Sequence, residues 1–156
     1  MNGRLYTVVF SAVSVSAAQD LFELIPADDK PIEIVGIVLG QTSDVGDSAE
    51  KLLQISFIRG FTVSGSGGTS ATPAPNNPND AAASFTAEVN NTTVANTGTG
   101  VTVHTETWNV RAGQPIWFPE GMGPKASQAN SSLVVRQSAP GDAITQSGTL
   151  YVRELI

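Results

Sequence analysis

The sequence predicts an all-β domain, an antiparallel β-sandwich of jelly-roll-like type with one long Gly/Ser/Pro-rich loop. Three observations carry this. Apolar residues recur with period two, and short Val/Ile/Phe/Thr-rich runs are separated by Gly, Pro, Asn and Ser. No stretch has a convincing amphipathic helical pattern. The 156 residues suit a single domain over 1–156, long enough to bury roughly 70% of its unfolded surface. With no cysteine in the chain, the core has to be sustained by packing alone.

Strands are expected near 4–15, 20–25, 32–39, 52–62, 84–89, 101–110, 115–118, 132–138 and 147–155. Arg4, the apolar run Leu5–Val13 and the small stretch Val15-Ser16-Ala17 mimic a secretory leader. Tyr6, Thr7 and Ser11 interrupt that run, so a strand is expected there instead. Leu5–Phe10 and Ile34–Leu39 are apolar on both faces, as in central strands covered on both sides. Leu53, Ile55 and Phe57 alternate with Gln54 and Ser56. Phe85, Ala87 and Val89 oppose Ser84, Thr86 and Glu88, and Leu150 and Val152 oppose Thr149, Tyr151 and Arg153. Asp47–Leu53 is the only helical candidate, worth a turn or two.

Turn chemistry places the boundaries. Ala27-Asp28-Asp29-Lys30-Pro31 turns the chain into Ile32, and Asn96-Thr97-Gly98-Thr99-Gly100 supplies positive-φ residues before Val101. Ala139-Pro140-Gly141-Asp142 has Pro and Gly at the centre of a type II turn, and is expected to join the last two long strands as a hairpin. Segment 64–80, SGSGGTSATPAPNNPND, exceeds ordinary loop lengths. It reads either as a flexible surface loop or as an arm that orders on a neighbouring subunit. Pro73, Pro75 and Pro78 would lower the entropy lost on docking.

Composition narrows function mainly by exclusion. Only 14% of residues are charged and there is one histidine, His104, so clusters of titratable groups for acid-base, nucleophilic or metal chemistry are scarce. The net charge of −6 and eight scattered Lys and Arg residues argue against nucleic acid. No run approaches the roughly 18 apolar residues of a membrane span, so a soluble chain is expected. His104 and Glu106 would share a strand face but lack a third partner, which favours a solvated polar pair. Asp44–Glu50 offers three carboxylates without the calcium-loop spacing. Gly65-Ser66-Gly67-Gly68 is not followed by a phosphate-loop lysine, and the sequons in Asn90-Asn91-Thr92-Thr93 and Asn130-Ser131-Ser132 are explained by coincidence in a chain rich in Asn, Ser and Thr. No catalytic residue, cofactor site or metal site is assigned.

Gln114-Pro115-Ile116-Trp117-Phe118-Pro119 is the most distinctive short segment. Its prolines limit what it can donate to a ladder. Trp117 or Phe118 either plugs one end of the sandwich or anchors another subunit from an edge. Trp108 shares parity with Val110 and is expected in the core. A Trp pair could instead form a sugar-stacking platform.

Taken in order, several segments resemble small structural proteins of tailed bacteriophages. They are RLYTVVFSAVSVSAAQDLFELIPADDKPIEIVGIVLGQTSDVGD, then ISFIRGF with its Gly/Ser-rich sequel, FTAEVNNTTVA, GQPIWFP and SGTLYVREL. The resemblance runs the length of the chain and points to capsid decoration, or cement, proteins. It implies a jelly-roll-like sandwich, a homotrimer, and a place on the outer surface of a virion capsid after synthesis in the host cytoplasm. The implied partner is the major capsid protein, with no nucleic acid or membrane. On this reading Trp117, Phe118, Pro73, Pro75 and Pro78 are the expected subunit or capsid contacts. A carbohydrate- or receptor-binding module of a virion is the alternative. A hydrolase would need close paired carboxylates in a pocket.

Overall fold

The terminal segments, both strongly alternating, become one long antiparallel pair. The computed structural model describes residues 3–42 and 52–155. In it β1 (Gly3–Val15) pairs with β12 (Ile144–Leu155) from Gly3↔Leu155 to Val15↔Ile144. A bulge between Phe10 and Val13 interrupts the ladder, with Ala12 at φ 52° and its N–H donated to the Ser147 hydroxyl at 2.9 Å.

The remaining strands are β2 (Gln19–Ile25), β3 (Ile32–Gln41), β4 (Leu52–Phe61), β5 (Thr69–Ala71) and β6 (Ala74–Pro75). They are followed by β7 (Thr86–Asn91), β8 (Gly98–Asn109), β9 (Gln114–Trp117), β10 (Lys125–Ala126) and β11 (Ser132–Gln137). One sheet, A, runs β9-β3-β12-β1-β6, with β10 beside β9 on the same edge of β3; the other, B, runs β5-β7-β2-β11-β4-β8. The first four strands pair antiparallel with later ones in reverse order: β1 with β12, β2 with β11, β3 with β9, β4 with β8. Such a ribbon, rolled so that successive strands alternate between two sheets, is a jelly roll. Strands β5 to β7 are an insertion that widens both sheets.

This topology corrects two expectations. Pro140 and Gly141 do make a turn, with Gly141 at φ 86°, but it is not a hairpin: β11 and β12 lie in different sheets. The turn carries the chain across the sandwich, where Gln137 and Gln146 bond to each other in the interior. Segment 64–80 is laid on its own domain. Ser66 bridges to Thr93, β5 pairs with β7, and β6 pairs with β1 through Tyr6↔Pro75 and Thr7↔Ala74. Small residues let the segment lie close to the sheets, and proline pre-extends it. Of the expected helical turn at Asp47–Leu53, Leu52 and Leu53 open β4; the rest, with the acidic run Asp44–Glu50, lies outside the described residues.

Between the sheets, the inward residues of each strand form one core. Tyr6, Val8, Phe22, Leu24, Ile37, Leu53, Ile55, Phe57, Trp108, Leu133, Leu150 and Val152 are all buried there, each worth about 1.5–3 kcal/mol relative to exposure. Tyr6 also fastens the inserted segment. Its hydroxyl donates to the Ala81 carbonyl at 2.9 Å and its ring meets Phe85 edge-on at 5.6 Å. Burial first, then the Glu154 carboxylate, pushes the phenol above its ordinary pKa. A folded value raised above the unfolded one stabilises fully below the unfolded pKa and loses that contribution as pH rises through the folded one. Tyr6→Phe is therefore expected to cost about 1 kcal/mol near neutral pH. Denaturant titrations should show that gap narrowing above about pH 10.

On the far side of sheet B, Ile58, Phe61, Ala95 and Val134 form a smaller cluster. Beside it Arg136 donates to Asp20 at 2.7 Å, and the Asp20 carboxylate accepts the Ala95 N–H at 2.9 Å. This ties the chain after β7 to the sheet.

Candidate interaction face

Sheet A has a second face that the described residues leave open. Two rows of residues cross it in register. One is Val9–Thr149–Val38–Pro115; the other is Thr7–Tyr151–Gly36–Trp117. None of the eight is charged. They alternate with the inward residues Val8, Phe10, Ile37, Leu39, Leu150, Val152 and Ile116, so the pleat points them away from the core. Val9 is 58% exposed, Trp117 56% and Val38 36%.

Leu5–Phe10 and Ile34–Leu39 are thus apolar on both faces, as the sequence indicates, yet among the described residues only one face of each is covered. That corrects the expectation of central strands enclosed on both sides. Uncharged exposed surface of this kind, continuous across four strands, is characteristic of protein interfaces.

Trp117 is the largest group on the face. Its indole meets the Tyr151 ring at a centroid distance of 4.9 Å and lies over Gly36. A Cβ at residue 36 would sit 2.3 Å from Trp117 Cε3, so the glycine is what admits the indole to the sheet. Phe118, one residue on, turns the other way. Half-buried, it packs edge-on against Phe57 at 5.7 Å and His104 at 5.0 Å, closing one end of the sandwich. The two readings of segment 114–119 are therefore divided between neighbours: Phe118 is the plug and Trp117 the outward group.

The prolines are not gathered at this face. Pro75 opposes inward-facing Tyr6 at the other edge of sheet A. Pro73 lines a concavity beside β5, and Pro78 is exposed in the turn closed by the Asp80 N–H to Asn77 carbonyl bond at 2.9 Å. Val9, Val38 and Tyr151 were not singled out from sequence. The signal for the two valines was the two-faced apolarity of their strands.

The other polar candidates are modest. His104 and Glu106 lie 3.3 Å apart on β8, and Glu106 accepts from Gln114 at 3.1 Å. Among the described residues no three His, Cys, Asp or Glu side chains converge as metal ligands, and no helix is long and apolar enough to cross a membrane. Trp108 is buried, as expected from its parity with Val110.

No protein-family model matches the chain, and no curated protein does. Among solved structures it is weakly similar to particles of infectious bursal disease virus. The T=1 particle gives 12% identity over 99% of this chain and 40% of that one, at a TM-score of 0.18. The Gx strain gives 14% identity over 99% and 42%, at 0.16. The T13 particle gives 13% identity over 100% and 40%, at 0.15. The chain thus spans well under half the length of these proteins. Scores this low carry no argument, and the jelly-roll assignment rests on strand pairing alone.

Proposed function

We propose that this chain is a non-enzymatic structural protein of a virion, a decoration or cement protein that binds the outer surface of a phage capsid and stabilises it. The observation that carries the reading is the outer face of sheet A, an uncharged surface on which Val9, Val38 and Trp117 stand exposed among the described residues. A virion surface protein acts by burying area against its neighbours, and an uncharged face does so with few ions to desolvate. The resemblance of the chain to tailed-phage structural proteins supplies the partner, the major capsid protein, and the trimer. Stabilisation then follows from mass action, since a ligand that binds only the intact shell shifts the equilibrium towards it.

Light scattering on the purified protein is expected to return three times the 16.2 kDa chain mass, and the protein should co-sediment with expanded capsids and raise their resistance to heat. A monomer that leaves capsid melting unchanged at micromolar concentration rejects the proposal.

The exposed Trp117–Tyr151 pair favours one second reading, a glycan- or receptor-binding module. Only Trp117 is placed to stack on a sugar, Trp108 being in the core. That reading requires glycan-array binding that Trp117→Ala removes.

A further inference from the structure

The edges of the two sheets are unequally protected. In sheet A, β6 and β10 have 2 residues each and β9 contains Pro115. Beyond the residues that β6 covers, β1 is broken by its bulge between Phe10 and Val13. In sheet B, β5 has 3 residues. Short strands, bulges and proline keep an edge from pairing with another chain. The remaining edge, β8, has less of this protection. It runs for 12 residues without Pro or Lys, and its ladder to β4 is unbroken from His104 to Asn109. Its other side pairs with no strand among the described residues, which leaves a row of N–H and C=O groups facing outwards.

Beside that edge lies an open concavity of about 410 Å³, walled by Val103, Phe118 and Met122, with Arg59, His104 and Lys125 as its ionisable lining. No carboxylate lines it. Val103 reaches it through a bulge: Phe57 pairs with His104 and Ile58 with Thr102, so Val103 is the extra residue. Val103 is 38% exposed and Met122 72%. Two of the three basic groups are matched, Lys125 by Glu33 at 3.1 Å and His104 by Glu106 at 3.3 Å. Arg59 is not. Among the described residues it bonds only to the Lys125 carbonyl, at 3.3 Å, a bare cation in a chain of net charge −6.

We propose that β8 accepts an added strand: an extended segment of a partner protein that brings a carboxylate to Arg59 and an apolar side chain to the wall of Val103, Phe118 and Met122. Main-chain bonds along β8 supply the affinity, and alternate side chains of the added strand meet the concavity. The lining selects among them. A carboxylate gains charge-assisted bonds from the guanidinium, a cationic side chain is repelled, and a proline forfeits a ladder bond. A second copy of β8 is the poorer occupant. Its one carboxylate, Glu106, already accepts from Gln114 and stands beside His104. Nothing in this inference depends on capsid binding or on the outer face of sheet A.

The test pans the full chain against a displayed library of random octapeptides. Enriched peptides are expected to lack proline and to hold Asp or Glu at a fixed offset from a large apolar residue. Synthesised singly, they should slow amide exchange within 104–109 and leave the strands of sheet A unchanged. Methylating alternate backbone nitrogens of the peptide should abolish binding. Replacing its acid by the amide should weaken binding at least roughly tenfold in the wild type and cost nothing further in Arg59→Gln, as a direct pair requires. Met122→Glu, at an exposed loop position, places a like charge in the concavity and should weaken binding to a similar extent. A selection that enriches nothing overturns the proposal, as do peptides that bind Arg59→Gln and Met122→Glu as tightly as the wild type. Amides 104–109 protected by self-association in the absence of peptide also overturn it, and assign the edge to a second copy.

Discussion

Arg136→Ala is expected to lower the unfolding free energy by about 3–5 kcal/mol, the cost of breaking a buried ion pair from one side. Asp20 is fully buried and receives two guanidinium contacts, at 2.7 and 3.3 Å. Removing the arginine leaves that carboxylate with the Ala95 N–H as its one remaining hydrogen-bond donor. The variant also loses the bond from Arg136 to the Ala95 carbonyl at 2.6 Å and the cation's seat 5.2 Å from the Phe61 ring centre. One arginine thus joins β2, the end of β4 and the segment following β7, and all three contacts go together. In urea the midpoint should fall with an unchanged slope, and the melting temperature should drop by roughly 6–20 °C. Asp20→Asn should cost less. The amide keeps an acceptor for Ala95, and the partly exposed guanidinium can turn to water. A loss below about 1 kcal/mol in Arg136→Ala would show that water reaches Asp20 and that the pair is in effect a surface one.

That pair shows where sequence reading stops. Asp20 and Arg136 are 116 positions apart, and nothing in the run Leu21-Phe22-Glu23-Leu24 marks Asp20 or Glu23 as buried acids. Their burial comes from the segment around Gly65 and Ala95 folding over the sheet. All nine expected strands were legible from alternation and turn residues, because a half-buried pleat imposes period two. The short strands Thr69–Ala71, Ala74–Pro75 and Lys125–Ala126 were not, since two or three residues are too few to display that period. Pro140-Gly141 is a turn, as its residues indicate, but not the turn of a hairpin. Turn chemistry fixes a reversal of the chain but not whether the flanking strands share a sheet. The open face was half legible: the apolarity of Val9 and Val38 is in the sequence, but the number of layers stacked on their strands is not.

Val38→Lys is expected to weaken self-association or capsid binding by at least a hundredfold while moving the melting temperature of the isolated chain by no more than a few degrees. Val38 lies mid-strand on β3 between Thr149 and Pro115. Its side chain is already partly in water, so a lysine there reaches solvent in the free protein and costs only the small strand preference lost. In a complex the same ammonium is trapped among Val9, Tyr151 and Trp117, where neither row holds a carboxylate to pair with it. An unpaired buried charge costs several kcal/mol. Trp117→Ala should lose about 2–4 kcal/mol of binding, the range of an aromatic anchor at the centre of an interface. Sedimentation velocity measures both. Val101→Lys is the control, since Val101 is exposed on β8 at the outer edge of the other sheet. If Val101→Lys dissociates the assembly and Val38→Lys does not, the contact is made along the free edge of β8, where an exposed ladder can pair with a neighbour, and the face of sheet A has no part in it.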